Sequence, residues 1–279
     1  MKRIKTENSE GNNIINSIIR ISRDINRLIL REKNIEKLMP SVCSRLIDIG
    51  DFISCSIFLK YKEQFEEIAL AGHDKKREYK KYKDSSEWPE WLNEIINIKQ
   101  VKIHSQRKFS QLFQNGLEKT KVVSIPMKYE DRIHGFILIR MKNIGLESQE
   151  KKILAETARD LALALVKIHT EDKLKESEQL YRLLAENAND FILLHDLGGK
   201  IIFFNQAGME LVGYSEDKIY EMSVQDLIAP EYFESLKERR DNRFQGNHSI
   251  KRYELEVNTK DQKIIPIEVV STPFIKDGD

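Results

Sequence analysis

Apolar residues recur three and four positions apart along the N-terminal part of the chain. This spacing places them on one face of a helix, so the pattern predicts a helix over residues 1–30. A second helix is predicted over 34–49, where Pro40 is expected to kink or break it. The pair Gly50 and Asp51 then ends the helical pattern.

From residue 52 onward, apolar positions alternate with polar ones in short runs separated by polar turns, which is typical of strands joined in hairpins. Strands are predicted over 52–59, 65–70, 101–103, 122–127 and 133–140. Between them, residues 74–87 are highly charged and predict a loop, whereas 88–98 carry apolar residues at helical spacing. The alternation is consistent with an antiparallel sheet flanked by helices.

A long helix is predicted over 150–186, because neither glycine nor proline interrupts the chain there. Its first part is hydrophobic and its second part is highly charged. The second part follows the four-three rhythm of a short coiled coil, with the seam Leu174, Ser177, Tyr181, Leu184 and Ala188. We therefore expect a boundary between two domains near 170–180.

Two more hairpins are predicted in the C-terminal part. Their strands are expected over 191–195, 201–204, 253–258 and 264–271, with helices over 206–212 and 231–245 between them. Gly198 and Gly199 supply the backbone freedom that the first of these hairpin turns requires. The sequence ends on the turn-like residues 277–279, so we expect a closing strand to be missing.

The composition adds limits to this picture. The 46 basic and 45 acidic residues nearly cancel, so the charge gives no reason to expect nucleic acid or an acidic membrane as a partner. No apolar stretch approaches the roughly 20 residues of a membrane span, and no signal peptide is visible. Two cysteines, Cys43 and Cys55, are too few for a disulfide framework, so a cytoplasmic location is expected, with both thiols packed in the core rather than acting as redox sensors.

Residues from 187 onward resemble a PAS domain. The resemblance rests on the motif Asp196-x-x-Gly199-x-Ile201-x-x-x-Asn205-x-Ala207, followed by Gly213-Tyr214-Ser215 and Ile228-Ala229-Pro230-Glu231. Ser177-Glu178-Gln179-Leu180-Tyr181-Arg182 resembles the helical lead-in that joins such domains to an upstream module. The usual Lys-Asp-Gly turn of the family reads Lys260-Asp261-Gln262 here.

Residues from about 30 to 168 resemble a GAF domain. The resemblance rests on Ser124-Ile125-Pro126-Met127, on Ile133-His134-Gly135-Phe136 and on the helix ending Leu161-Ala162-Leu163-Ala164-Leu165. Leu146 stands where the family often has phenylalanine. Both families are antiparallel sheets flanked by helices, and they usually act as input modules of sensor histidine kinases and related regulators.

The two resemblances imply an α+β protein of two domains, each an antiparallel β-sheet flanked by helices, joined by a long connecting helix. The implied parts are an N-terminal helix over 1–30, a GAF domain over 31–170, a helical linker over 171–186 and a PAS domain over 187–279. We expect a sensory input module that forms a homodimer and acts on an output kinase or response regulator. Two alternatives stay open at this point, a haem-binding redox or gas sensor and the N-terminal fragment of a sensor histidine kinase.

Motifs for common catalytic chemistries are missing from the sequence. It contains no glycine-rich phosphate loop, nucleophile elbow, metalloprotease helix or kinase signature, so no catalytic residue is expected. No pair of histidines or cysteines has the spacing of metal ligands. Thiol-adduct flavin chemistry and bilin attachment are disfavoured, because residues 187–279 lack cysteine and neither Cys43 nor Cys55 adjoins histidine. The cyclic-nucleotide motif of some GAF domains is not found either.

The cofactor is therefore unknown, and haem is the candidate that the resemblance suggests. Imidazole is its usual axial ligand, so His73, His104 and His134 are candidate ligands. The preferred interpretation, however, makes His73 and His104 solvated loop residues and points His134 outward. A ligand pocket of the PAS part would be lined by Ile192, Leu194, Phe203, Asn205, Met209, Leu227, Leu255 and Val269. The same positions would otherwise form the core of a ligand-free domain.

Overall fold

The computed structural model describes residues 2–62, 64–74, 78–83, 86, 88–113, 120–142, 145–244 and 250–273. The chain divides into two compact units, Met1–Lys173 and Leu174–Asp279. The helices of the first unit begin with α1 (Lys2–Arg31), α2 (Ile35–Ile47) and α3 (Glu90–Ile95). Asn34 caps α2, because its side-chain oxygen accepts a hydrogen bond from the backbone N–H of Lys37 at 3.2 Å. Pro40 lies inside α2 and does not end it.

The strands of the first unit form one antiparallel sheet. They are β1 (Phe52–Tyr61), β2 (Gln64–Gly72), β3 (Lys81–Tyr82), β4 (Lys102–Ser105), β5 (Thr120–Tyr129) and β6 (Arg132–Lys142). Within the described residues the sheet has six strands in the order β3-β2-β1-β6-β5-β4. The predicted hairpins are confirmed, and the short strand β3 lies where the charge pattern predicted only a loop.

The two faces of this sheet carry different cores, because successive side chains of a strand point to opposite faces. One face packs its aliphatic residues, such as Ile57 and Ile139, with those of α1, α2 and the long helix α4 (Ser148–Glu186). The other face carries an aromatic cluster, which consists of Phe58, Phe65, Trp91, Phe109, Phe113 and Phe136. Gly135 allows β6 to approach β1 closely, since a Cβ there would lie 2.2 Å from the carbonyl oxygen of Phe58.

Helix α4 confirms the long helix that the sequence predicts. Its residues up to Lys173 belong to the first unit, where Leu154, Leu161 and Ile168 are buried. From Leu174 onward they belong to the second unit. There the apolar side chains are more than half exposed; they are Leu174, Leu180, Tyr181, Leu183 and Leu184.

The second unit contains two antiparallel hairpins and a set of short helices. The hairpins are β7 (Leu193–His195) with β8 (Ile201–Phe204), and β9 (Lys251–Asn258) with β10 (Ile264–Ser271). The helices are α5 (Gln206–Val212), α6 (Glu216–Ile219), α7 (Val224–Leu227) and α8 (Phe233–Phe244). Helix α5 ends at Gly213, whose φ of 77° is the left-handed conformation that favours glycine.

A shared core joins the two hairpins, with Ile201 and Phe204 from one and Leu255 and Val257 from the other. Among the described residues, no strand pairs with the outer edge of β7 or of β10. The turn expected at 277–279 lies outside the described residues, as does residue 245, the predicted end of α8. The α+β class with antiparallel sheets and a long helix between the two regions is confirmed.

Candidate functional site

Buried polar side chains line one face of the first unit's sheet, the face that bears the aromatic cluster. The strand register aligns Ser54 of β1 with Arg140 of β6, then with Val122 of β5 and His104 of β4. We name as the polar cluster the buried residues Ser54, Asp74, His104, Ser124 and Arg140. Burying such groups is costly unless they are hydrogen-bonded or paired, so their partners define the site.

Arg140 and Asp74 form an ion pair that is wholly shielded from solvent. An Arg140 Nη lies 2.9 Å from a carboxylate oxygen of Asp74, and both side chains are 0% exposed. Ser54 donates a hydrogen bond to the same carboxylate at 2.5 Å and lies 3.3 Å from the Arg140 Nη. The guanidinium also lies over the ring of Phe113, at 5.5 Å from its centroid. Burial lowers the pKa of Arg140, and the charge of Asp74 opposes that shift.

His104 joins the polar cluster to the edge of α3. Its Nε2 lies 2.8 Å from the hydroxyl of Ser124, and its Nδ1 lies 3.5 Å from a carboxylate oxygen of Glu94. Burial lowers the pKa of His104, with Glu94 partly offsetting the shift, so the imidazole is neutral near pH 7. The neighbouring carboxylate favours the tautomer in which Nδ1 carries the proton and Nε2 accepts from Ser124.

Glu94 stays ionised because two lysines surround it. Lys108 donates a hydrogen bond to one carboxylate oxygen at 2.8 Å, and Lys102 approaches the other at 3.5 Å. The hydrogen bond from Lys108 lowers the pKa of Glu94, against the opposing effect of burial. The ionised carboxylate therefore orients His104, which in turn orients Ser124.

The carboxylate of Glu94, the imidazole of His104 and the hydroxyl of Ser124 contact one another in the same succession as the three groups of a catalytic triad. Ser124, however, is 0% exposed and lies in the middle of β5, between β4 and β6. A substrate carbonyl does not reach its Oγ in this conformation. The hydrogen bonds fix the direction of these buried polar groups on the face of the sheet that bears the aromatic cluster.

The tryptophans add two hydrogen-bond donors to the same side of the sheet. Trp91 is 2% exposed and contacts the rings of Phe58 and Phe109, whereas Trp88 contacts Phe65. The indole N–H groups of both are buried and have no acceptor among the described residues. A buried donor of this kind needs an explanation, because native proteins satisfy almost all of them.

Two open hollows beside α1 and α2 are weaker candidates for a site. The larger, of about 440 Å³, is lined by Leu28 and Pro40 and by the exposed side chains of Ser41, Ser44, Arg45 and Asp48. The smaller, of about 260 Å³, adjoins it. Their polar lining is solvated, so neither holds polar groups in a fixed direction as the polar cluster does.

The three candidate haem ligands lie on different elements. His104 is buried in β4, so its interpretation as a solvated loop residue was wrong; the strand extends to Ser105 and hides the ring against Phe109. His73 is exposed in the turn after β2, and His134 is half-buried at the start of β6. In the part of the chain that the structure describes, no three His, Cys, Asp or Glu side chains form a metal-binding group.

The predicted pocket of the second unit is only partly assembled. Leu227 and Leu255 are buried, and Met209 and Val269 pack against the same core. Ile192 and Leu194, expected to point inward, are 38% and 41% exposed. Leu193 pairs with Phe204 and Leu194 with Phe203, so Leu193 and Phe204 face the core. The prediction of which side chains face the core was therefore wrong by one residue, and a shift by one residue moves every side chain of a strand to the opposite face. Phe203, which was also expected to point inward, lies outside the core.

Asn205, the remaining pocket candidate, has no free polar atom. Its Oδ1 accepts from the backbone N–H groups of Ile192 and Gly208, at 2.8 and 3.1 Å. Its Nδ2 donates to the carbonyls of Ala185 and Asp190, at 2.9 and 3.1 Å. The side chain is 0% exposed and ties the end of α4 to β7 and α5. It holds the fold together and does not offer a ligand contact.

Sequence reasoning missed most of the polar cluster. Only His104 was singled out, and it was given a different environment. Arg140 could have been found, because it continues the inward alternation of Phe136 and Leu138 on a strand that was predicted. Asp74 gave no such signal, since it follows β2 at the start of a charged stretch.

Comparison with known proteins supports the assignment of the second unit. The profile of the PAS fold family matches residues 179–279. The chain is also similar to a methyl sulfide methyltransferase-associated sensor of Methanosarcina acetivorans, at 27% identity over 123 residues. That match covers 43% of this chain and 12% of the length of the relative.

Two solved structures are similar to separate parts of the chain. The GAF domain of nlh2 from A. aeolicus covers 53% of this chain and 95% of its own, at 14% identity and a TM-score of 0.45. The PAS domain of an HTR-like protein from Haloarcula marismortui covers 40% of this chain and 90% of its own, at 23% identity and a TM-score of 0.34.

The profile match agrees with the PAS part that the sequence resemblance implies. The chain has a first part built on an antiparallel sheet, followed by a part that the PAS fold profile matches. These findings support a signal-sensing input module. None of the described helices combines the length and the apolar character that crossing a membrane requires.

Proposed function

We propose that the first unit binds a small signal molecule at the polar cluster and that α4 carries the resulting change to the PAS part. The observation that carries this proposal is the polar cluster itself. Hydrogen-bonded polar side chains from β1, β4, β5 and β6 lie beneath an aromatic cluster, which is the mixture of surfaces that small-molecule sites use.

The connector role of α4 rests on its continuity and on its end. The helix runs unbroken from Ser148 to Glu186, so a rotation or shift at one end is transmitted to the other. At its end, the carbonyl of Ala185 accepts from Asn205, and the carboxylate of Glu186 accepts from the backbone N–H of Gln206. A ligand that prefers one arrangement of the helix shifts the population by no more than its difference in affinity.

We further propose that the chain is a cytoplasmic, non-catalytic homodimer that controls a histidine kinase or response regulator. The exposed side chains of Leu174, Tyr181 and Leu184 support dimerisation, because they recur at the spacing of a short coiled coil. The domain boundaries near 30, 170 and 186 belong to this proposal. The free, buried thiols of Cys43 and Cys55 suit a reducing compartment.

A screen of small metabolites by thermal shift tests the site. We expect a compound that binds a conformation in which the polar cluster is open, stabilises the wild-type chain and loses that effect in Ser124→Ala, which removes the hydroxyl that His104 holds. Asn205→Ala is the matched control, because it weakens the second unit and leaves the polar cluster intact. A hit that Ser124→Ala leaves unchanged would place the ligand elsewhere and contradict the proposal.

The connector is tested with the same hit. Binding should change hydrogen exchange at the amides of Ile192 and Gly208, which Asn205 links to α4. Glu176→Pro interrupts the helix and should abolish that distant change, while binding itself persists. Glu176→Ala keeps the helix and serves as control. An unchanged distant response in Glu176→Pro would refute transmission through α4.

Haem is the alternative signal carrier. His104 already uses Nε2 for Ser124 and faces Glu94 with Nδ1, so its ring is committed within the protein. We expect no Soret band that depends on His73, His104 or His134, with or without added haemin. A band that is lost when one of these histidines is replaced by alanine would favour the haem sensor instead.

A further inference from the structure

Two buried hydrogen-bond donors and one buried cation lie on the aromatic face of the sheet. The buried indole N–H groups of Trp88 and Trp91 have no acceptor among the described residues. Arg140 adds a buried cation on the sheet beneath Phe113. A molecule that suits this surface brings hydrogen-bond acceptors and negative charge.

Asp74 already presents a negatively charged acceptor, its carboxylate, to Arg140. Its carboxylate lies 2.9 Å from the guanidinium, and Ser54 holds it there. Arg140 and Ser54 belong to the sheet, whereas Asp74 lies in the turn after β2. The carboxylate therefore reaches the polar cluster from outside the strands that carry it.

We propose that Arg140 anchors a small carboxylate ligand and that Asp74 occupies this position until the ligand displaces it. The proposal rests on the function proposed above and names the chemical class of the signal. The ligand carboxylate replaces that of Asp74 on Arg140, and the apolar body of the ligand packs against the aromatic cluster. A further acceptor on the ligand accepts a hydrogen bond from the indole N–H of Trp88 or Trp91.

The exchange is electrostatically balanced. One carboxylate leaves the guanidinium as another arrives, so Arg140 is never buried without a counter-charge. The guanidinium also favours a carboxylate over a neutral amide of the same shape, because the carboxylate is charged and offers two acceptor oxygens, whereas the amide replaces one of them by a donor. Since Asp74 follows β2 directly, its displacement changes the turn at that end of the sheet, which couples occupancy to backbone position.

Tryptophan fluorescence provides the test, because the only two tryptophans of the chain, Trp88 and Trp91, both lie in or against the aromatic cluster. The full chain is titrated with sodium benzoate and with benzamide at constant ionic strength. We expect a saturable change in emission with benzoate and none with benzamide. Asp74→Asn removes the competing carboxylate and should bind benzoate at least about tenfold more tightly than the wild type.

Two further variants serve as a matched control and as an independent second test. Asp51→Asn removes a partly buried carboxylate that pairs with the exposed Lys142 at 3.3 Å, and it should bind benzoate as the wild type does. Ser54→Ala loosens Asp74 while keeping the ion pair, and should tighten benzoate binding about threefold. If Asp74→Asn does not fold, benzoate binding by Ser54→Ala tests the displacement of Asp74 instead.

Two outcomes overturn the inference. Equal binding of benzoate and benzamide would show a site without charge preference, which refutes the carboxylate class and leaves the proposed small-molecule site standing. The inference also fails if neither probe changes the emission of the wild type, Asp74→Asn or Ser54→Ala. The metabolite screen then decides the proposed function by itself.

Discussion

Cys43 and Cys55 place their Sγ atoms 3.3 Å apart, although one residue lies on α2 and the other on β1. Both are free and 0% exposed, in the aliphatic core of the first unit. The Cys43 thiol also donates to the carbonyl of Cys55 at 3.6 Å. The sequence favours core packing for both residues, and their burial confirms that placement.

The environment of this pair makes the thiols unreactive. Burial raises the pKa of Cys43, and its contact with Cys55 raises it further, so the nucleophilic thiolate is scarce near neutral pH. We expect iodoacetamide to leave both cysteines unmodified in the folded protein and to modify both in denaturant, as measured by intact mass. Rapid alkylation of the folded chain would mean that α2 opens away from β1.

Breaking the buried pair of Arg140 and Asp74 should strongly destabilise the first unit. Asp74→Asn removes the negative charge that lies 2.9 Å from the guanidinium, so we expect the free energy of unfolding to fall by about 3–5 kcal/mol in a buffer free of carboxylates. Urea denaturation followed by tryptophan fluorescence measures it. Asp51→Asn breaks a pair with the exposed Lys142 near the surface and should cost less than about 1 kcal/mol. Equal costs for the two variants would contradict the buried position of Asp74.

His104 should make stability depend on pH. Burial lowers its pKa in the folded state below the value of about 6.5 that holds in the unfolded chain. The unfolded state therefore binds more protons in this range, so stability is full above pH 6.5 and falls as the pH decreases toward the folded-state pKa. The same sign applies to His134, whose pKa burial also lowers.

Replacing His104 isolates its share of this effect. His104→Asn should flatten the loss of stability between about pH 7 and pH 5 without abolishing it, since His134 still titrates. Denaturation midpoints across that range provide the measurement, and His73→Asn at an exposed position is the matched control. A pH profile of His104→Asn that coincides with the wild type would show that His104 is protonated equally in both states.

The sequence predicts the helices and hairpins well because their periodicity is strong over many residues. Helix α4 shows this, since no glycine or proline interrupts its pattern and the structure extends it from Ser148 to Glu186. The side-chain phase of β7 could not be predicted, because Leu193 and Leu194 are chemically alike and the alternation of a three-residue strand is too short. The pairing register of β7 with β8 also shifts after Leu194, so the alternation of side chains is interrupted within the strand itself.

The polar cluster was hidden for a different reason. Its members come from distant parts of the chain, and only the sheet order brings β4 and β5 beside β6 and β1. A serine or an aspartate at an isolated position is typical of a surface, so Ser124 and Asp74 gave no warning of burial. A charged residue in the inward phase of a predicted strand, such as Arg140, is the kind of exception that does indicate a site.

Asn205 should prove essential to the attachment of α4 in the second unit, because its amide makes four hydrogen bonds there. Asn205→Asp keeps the two accepting contacts and loses both donors, so the carbonyls of Ala185 and Asp190 are left facing a carboxylate. We expect a loss of about 2–4 kcal/mol, since each buried group left without a partner costs about 1–3 kcal/mol. The backbone amide hydrogens of Ile192 and Gly208 should exchange faster with solvent, whereas the exchange rates of the first unit should stay unchanged. The exposed Gln206→Ala is the control, and unchanged protection in Asn205→Asp would refute this role.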